Sequence, residues 1–487
     1  MAVAAVALTY TAVYSFLSLW RHALYNSSMY DLGLFDQLIW NMSHGRFFES
    51  SIKGFNYLGD HCSPVLVLFT PLYWIWDDVR LLLIFQSAAI AASAFPFAAV
   101  AAEVLGNEVA AVIMAAVFLL QPNLGYVNIF DFHPEILLVP AFTFAMYFAR
   151  KGRPWAAVAC ALFALTVKED VAVTAACFAA YLFFTSSRPA GAVLFCVSAA
   201  WFGVAMNVII PANRPTGAVT GYLYMERYAH LGKSLPEVVQ NAVLHPITAL
   251  AGSYDHWKAV TFFRMFLPTG FLAFAGFPVL AVAAPVMGYS YVSAYLPQFD
   301  VRFQYLTIAV PFIMYAALDG ARRTVDLLDR AGARRGSPRL RRPVLVWTVP
   351  AVLAGLNLFS VYWIVHSQLQ VNTFKAPHNL AEIKEAVALI PSDASVATLN
   401  MTGPHLSHRR ALEFAIAFEP HWYHYERLGL PRYSLADYQL FNTADRRWTR
   451  NGSLPRIKEL KERHGYAIVY ERNSVVLLSR MKGTDAP

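Results

Sequence analysis

Apolar positions in the first three quarters of the chain fall in runs long enough for helices buried in lipid. A spanning helix needs ~20 mainly apolar residues. Runs that meet or approach this lie at about 2–20, 80–104, 108–126, 135–150, 154–168, 170–186, 189–210, 260–275, 276–296, 304–320 and 343–366, which predicts about eleven spans. The stretches 154–186 and 260–296 can each be divided differently. Pro64–Trp76 is apolar but short, with prolines at its start and middle, and reads as an interfacial helix. After residue 366 the pattern changes to that of a small α/β domain. Asn379–Leu389 has helical apolar spacing with Asn379 as a cap, and a turn and strand follow in IPSDASVATL. Tyr438–Phe441, Tyr466–Tyr470 and Ser474–Leu478 read as further strands, with a helix at Leu454–His464.

Composition sharpens this division. Only 14% of the 487 residues are charged and 57% are hydrophobic, against ~25% charged in soluble domains. Residues 367–487 hold 28 charged residues, while residues 1–366 hold 42. The chain therefore divides into a membrane domain, 1–366, and a soluble domain, 367–487. The net charge of +8 is concentrated in one loop, 321–342, where Arg322, Arg323, Arg330, Arg334, Arg335, Arg339, Arg341 and Arg342 face only Asp326 and Asp329. A basic loop between apolar runs marks the cytoplasmic side of a membrane, not nucleic-acid binding. With a cytoplasmic N-terminus and a retained first helix, Arg150, Lys151, Arg153 and Arg188 fall on that same side. The first loop (21–79), a second near 123–134, a third from Pro211 to about Lys258, and the C-terminal domain then lie outside. Three of the four cysteines sit in apolar segments, so no disulfide framework is implied.

Polar chemistry collects in these outer stretches. Asp31 lies where the first turn of a membrane-surface helix begins, in YDLGLFDQLIWN. It reads either as a helix cap or as a carboxylate presented to a cavity, where it would act as a general base on an acceptor hydroxyl. Asp36 and Gln37 follow on the same helix, Asp36 turned about 140° from Asp31 by the 3.6-residue period. His61 in DHCSP is either structural or a phosphate contact. In FDFHPE, Asp131, His133 and Glu135 alternate, which on extended backbone puts them on one side. Such a set suits a substrate contact, a cap or, more weakly, a divalent cation such as magnesium or manganese. Lys168-Glu169-Asp170 interrupts an apolar stretch, as a solvated turn or as a phosphate-binding lysine held by Glu169. Arg302 either faces the same cavity or extends to the interface. His405, His408, Arg409 and the run Glu419–Tyr425 add histidine and aromatic faces suited to sugar rings or to packing.

Taken together, YDLGLFDQLIWN, DHCSPVLVLFTPLY, FDFHPE, VKEDVA, IPSDASVATLNMTGPHLSHRRALEF and ADYQL resemble a family of prokaryotic membrane proteins of unknown function grouped with the GT-C glycosyltransferases. The resemblance runs from about Tyr30 to Leu478. It implies a GT-C-like bundle in the prokaryotic cytoplasmic membrane. It also implies a sugar donor linked to polyprenyl phosphate and a glycan, lipid or protein acceptor. In such enzymes an acidic residue stands in the first outer loop, followed by a second interfacial helix; Asp31 and Pro64–Trp76 occupy these places. The pattern departs from the family in lacking an Asp-Glu pair at Asp31 and in placing His133 between the acids of FDFHPE. The expected activity is inverting sugar transfer, with Lys168 and Arg302 stabilising the leaving phosphate. A lipid-linked glycan carrier and a glycan-binding assembly protein are the rival readings.

Overall fold

Six helices among the described residues are long and apolar enough to cross a membrane: Ala2–Ala23, Arg80–Leu105, Arg188–Ala212, Leu272–Val292, Leu296–Ala331 and Val344–Gln368. Glu108–Leu119 and Pro122–Phe130, bent by 49°, make a seventh if taken as one span. The bend falls at Pro122, which has no amide hydrogen to continue the first helix and instead opens the second. The computed structural model describes residues 1–481 except 216–221, 334–342, 371–372, 417–427, 429–433 and 446–452. Arg334, Arg335, Arg339, Arg341 and Arg342 of the basic loop, and the run Glu419–Tyr425, lie outside the described residues.

The eleven apolar runs do not correspond one to one with long helices. Leu138–Arg150, Pro154–Leu165 and Val171–Thr185 have 13, 12 and 15 residues. At 1.5 Å per residue they reach roughly 18–23 Å, short of a ~30 Å hydrocarbon core. The run 260–275 is split, because the His256–Phe266 helix stops before Pro268 and before Gly270, which has a φ of 57°. Its second half joins the next run in the Leu272–Val292 span. That span lies close against Val310–Ala333, where a Cβ on Gly276 or Gly320 would run into the carbonyl of Ala316 or Leu272. Glycine at both places lets the two backbones approach, the usual device of helix packing in lipid.

The C-terminal domain is a five-stranded sheet: β1 (Val396–Thr398), β2 (Leu412–Phe414), β3 (Tyr438–Asn442), β4 (Tyr466–Arg472) and β5 (Val475–Arg480). Its order is β2-β1-β3-β5-β4, with β1 parallel to β2 and β3 and the remaining pairs antiparallel. Asn473 and Ser474, both at positive φ, form the tight β4–β5 turn. Leu380–Ala388 and Ser453–Arg463 are the two helices expected from spacing. Asn379 does not cap the first of these; its amide donates to Asn442 Oδ1 at 2.9 Å and to the Asn473 carbonyl at 3.0 Å.

The sheet domain is seated on the first loop of the membrane domain. Gly403 lies against Met29 so closely that a Cβ there would overlap the methionine side chain. Gly403→Ala is therefore expected to destabilise the protein by roughly 1–3 kcal/mol, as overpacking does. Thermal unfolding in detergent checks this, and an unchanged midpoint would contradict it.

Candidate active site

Asp31 sits in a short π-helical turn, Met29–Gly33. The turn is capped by Ser28, not by Asp31: Ser28 Oγ accepts the Tyr30 amide at 3.2 Å. The Asp31 carboxylate is thereby freed, and Oδ1 receives a hydrogen bond from His133 Nε2 at 3.1 Å. Burial opposes ionisation of Asp31, but the hydrogen bond and charge of His133 outweigh it and hold its pKa below the ordinary carboxylate range. Burial likewise disfavours charged His133, yet Asp31 raises its pKa above the usual imidazole value. The pair is an ionised carboxylate beside an imidazole whose protonated form that carboxylate favours. The Asp31 side chain stays 23% exposed while that of His133 is 3% exposed, so the carboxylate is the member that reaches free space.

That space is a cavity of about 940 Å³, toward the upper end of ordinary ligand pockets. Of the residues singled out in the sequence, Asp31, His61, His133, Glu135, Lys168 and Glu169 line it. Their pairing differs from the expected one. Lys168 is held by Glu135 at 3.2 Å, not by its neighbour Glu169. Burial disfavours the ammonium, but Asp170, Glu135 and Glu169 keep it charged. Glu169 instead accepts from His61 Nδ1 and from the Cys62 amide, both at 2.9 Å, and so fixes the DHCSP loop. Asp60 pairs with Lys53 at 2.5 Å and accepts from the Tyr224 hydroxyl.

Four of the predicted residues do not join the cavity. Asp131 lies on the far side of the FDFHPE backbone, where it takes Arg21 at 2.8 Å and the Ser28 amide at 3.0 Å. It braces the Asp31 turn from behind. The alternation of Asp131, His133 and Glu135 is broken because Pro134 opens a 3₁₀ turn at Pro134–Leu137. Arg302 is turned back on Asp300 at 2.6 Å. Asp36 and Gln37 occupy the opposite face of the Leu34–Ser43 helix, as the helical period requires. Gln37 donates to Ser51 Oγ at 2.7 Å and to the Arg409 carbonyl at 3.1 Å. Buried Asp36 accepts from Tyr73, from Ser407 and from His408 Nε2, the last at 3.1 Å. Both residues anchor the C-terminal domain.

His408 also faces Asp77 across 3.2 Å. Burial works against its charge, but Asp36, Asp77 and Asp78 raise its pKa to about 9. A histidine whose pKa is raised on folding contributes fully below its unfolded value near 6.5 and loses that contribution as pH rises through about 9. Stability of the docked domain is thus expected to fall across this window, and His408→Gln to flatten the fall. Unfolding midpoints against pH would show it; equal slopes in both proteins would contradict it.

A cation not singled out in the sequence completes the cavity. Arg227 lies 4.1 Å from the Tyr224 ring, 4.3 Å from Tyr295 and 5.8 Å from Tyr305. Its other contact is the Gln298 side chain at 3.2 Å, and it forms no ion pair among the described residues. The signal in the sequence was one Arg among interleaved aromatics, Tyr222-Leu-Tyr-Met-Glu-Arg-Tyr228, in an outer loop. Beyond it, Leu235, Val238, Val239, Ala242 and Val243 line the cavity at helical spacing, joined by Pro246 and Leu250. The cavity thus has a charged end and an apolar wall.

No group of three or more His, Cys, Asp or Glu among the described residues is placed to hold a metal ion. Asp31, Asp60, Glu135 and Glu169 are each committed to a cationic or imidazole partner. The donor set does not fit the divalent cation left open by the sequence.

This fold and cavity define a polytopic helical membrane protein with an amphipathic cavity beneath a small α/β domain. By sequence, the chain belongs to the family described as "Predicted membrane protein (DUF2079)", whose profile matches residues 21–477. Its fold is similar to that of ArnT from Cupriavidus metallidurans. The crystal structure of ArnT bound to undecaprenyl phosphate matches with a TM-score of 0.54 at 13% identity, covering 99% of each chain. The apo crystal structure matches with a TM-score of 0.52 at 12% identity and the same coverage. No curated protein sequence matches the chain.

Proposed function

We propose that this protein is an inverting GT-C-type membrane glycosyltransferase, moving a sugar from a polyprenyl phosphate to an acceptor hydroxyl on the extracytoplasmic face. One observation carries the reading: a single cavity brings together an ionised, accessible carboxylate at Asp31, an arginine that forms no ion pair among the described residues at Arg227, and an apolar wall at 235–250. A partly enclosed cation whose partners among the described residues are neutral favours an anionic ligand. The apolar wall suits the prenyl chain attached to that anion. That the similar structure of ArnT holds undecaprenyl phosphate supports this choice of ligand.

In the proposed reaction, Asp31 takes the proton of the acceptor hydroxyl as its oxygen bonds to the anomeric carbon. The bond from that carbon to the phosphate oxygen breaks on the opposite face, which inverts the configuration. The departing phosphate keeps the electron pair, and Arg227 with Lys168 stabilises its growing charge. His133 holds Asp31 in its ionised form and fixes the direction of its carboxylate.

The distribution of basic residues supports the orientation. Helices that start at the cavity, such as Leu138–Arg150 and Val171–Thr185, run toward Arg150, Lys151 and Arg188 at the opposite end. Arg322, Arg323 and Arg330 lie along the Val310–Ala333 helix on the way to that end. Basic residues mark the cytoplasmic side, which leaves the cavity and the C-terminal domain outside.

Incubating the purified protein in lipid nanodiscs with radiolabelled polyprenyl-phosphate sugars and a crude acceptor extract tests the function. Label is expected to leave the lipid. Label that crosses sealed vesicles while still attached to lipid would favour the carrier reading instead.

A further inference from the structure

The wall of the cavity beside Asp31 is not built by the membrane domain alone. Asn400, in the loop that follows β1, lines it together with Met401. Asn400 is 2% exposed. Its backbone carbonyl accepts the Met29 amide at 2.8 Å. Its side-chain Oδ1 accepts from the Tyr30 amide at 3.2 Å and from Ser28 Oγ at 3.1 Å. A residue of the sheet domain therefore supplies the second cap of the turn that carries Asp31.

This capping fixes which way round the amide lies. A backbone N–H only donates, so the atom facing Tyr30 must be the oxygen, and the NH₂ group points elsewhere. That group has no hydrogen-bond partner among the described residues. A nearly buried amide nitrogen with no partner among the described residues, in the wall of the cavity that Asp31 also lines, calls for an acceptor on the ligand. A hydroxyl is the group that meets both neighbours at once, donating its proton to Asp31 and accepting at its oxygen from Asn400.

We infer that Asn400 is a substrate-binding residue contributed by the C-terminal domain, orienting the acceptor hydroxyl that Asp31 deprotonates. The inference rests on the transferase reading and deepens it: the acceptor site is composite and complete only with the sheet domain docked. It also gives that domain a part in the chemistry beyond packing.

Asn400→Asp separates the two functions of this side chain. Aspartate caps a helix as well as asparagine does, so the Asp31 turn keeps its cap oxygen while the NH₂ donor is lost. In the full-length protein, the dependence of transfer rate on the acceptor extract is measured at saturating lipid donor, with the unfolding midpoint followed in parallel. The expected result is an apparent acceptor KM raised roughly 5- to 30-fold, as for loss of one hydrogen bond to substrate. The midpoint and the KM for the lipid donor are expected to be unchanged. Asn400→Ala, which removes cap and donor together, is expected to lower kcat as well.

The new carboxylate also raises the pKa of Asp31 by like charge, which changes its protonation only near that pKa and not at a pH where both are ionised. The acceptor defect is therefore expected to be the same at about pH 6 and about pH 9. Wild-type acceptor KM in Asn400→Asp at either pH, with the wild type active, would overturn the assignment of Asn400 alone. A wild type that moves no label would overturn the transferase reading and this assignment with it.

Discussion

Asp31→Asn is expected to lower sugar transfer by roughly 10²–10⁴-fold, the usual contribution of a positioned general base. The loss is expected in kcat, because the proton moves only as the new bond forms. Asparagine is nearly isosteric, and its amide oxygen still accepts from His133 Nε2, so the 3.1 Å contact and the Met29–Gly33 turn survive. Insertion, unfolding midpoint and affinity for the lipid donor are expected to remain close to those of the wild type. Initial rates at saturating donor, set beside a binding isotherm for polyprenyl phosphate, check this. Loss of both binding and rate would show that Asp31 holds the fold and not the proton, and near-normal turnover would remove it from the mechanism.

The second large effect belongs to the donor. Arg227→Met keeps the apolar stem that packs among Tyr224, Tyr295 and Tyr305 but removes the guanidinium. A charge-assisted hydrogen bond contributes about 1.5–3 kcal/mol, so affinity for polyprenyl phosphate is expected to fall roughly 10- to 150-fold. Arg227→Lys is expected to recover only part of this, since an ammonium cannot reproduce the planar fork of donors. Titration with undecaprenyl phosphate measures it, and an unchanged dissociation constant for Arg227→Met would show that the phosphate is held elsewhere. By contrast Arg302, tied to Asp300 outside the cavity, is expected to tolerate replacement.

The contrast between Arg227 and Arg302 shows how far the sequence carries. Ionisable residues in a chain this apolar must pair with one another or face an aqueous chamber, and Asp31, His61, His133, Glu135, Lys168 and Glu169 meet in one cavity for that reason. Which of them pair was not legible. Lys168 lies next to Glu169 in the chain, but on a tight turn their side chains diverge, and the partner is Glu135, brought from another loop. Arg302 had an acid two residues away that sequence position could not weigh against the cavity. Asn400 gave no signal, since its contact with Tyr30 joins positions 370 residues apart.

The fold was readable to a similar depth. Six of the apolar runs became helices long enough to span, and Pro64–Trp76, set apart by its length and prolines, forms helix at Pro64–Tyr73. Where the runs break was harder to see, because Pro122 and Gly270 interrupt apolar stretches without changing their hydropathy. In the C-terminal domain, β3, β4 and β5 are legible as short runs rich in apolar, β-branched and aromatic residues. The three-residue β2 is too short to do so and is identified only by its register with β1.

A structure of the protein with undecaprenyl phosphate bound would show whether the lipid phosphate sits between Arg227 and Asp31. Phosphate oxygens are expected about 2.7–2.9 Å from the Arg227 guanidinium, with the prenyl chain along the 235–250 wall and Asp31 facing the space where a sugar on that phosphate would sit. A phosphate bound outside this cavity, or a lipid that leaves Asp31 walled off from its head group, would contradict this arrangement.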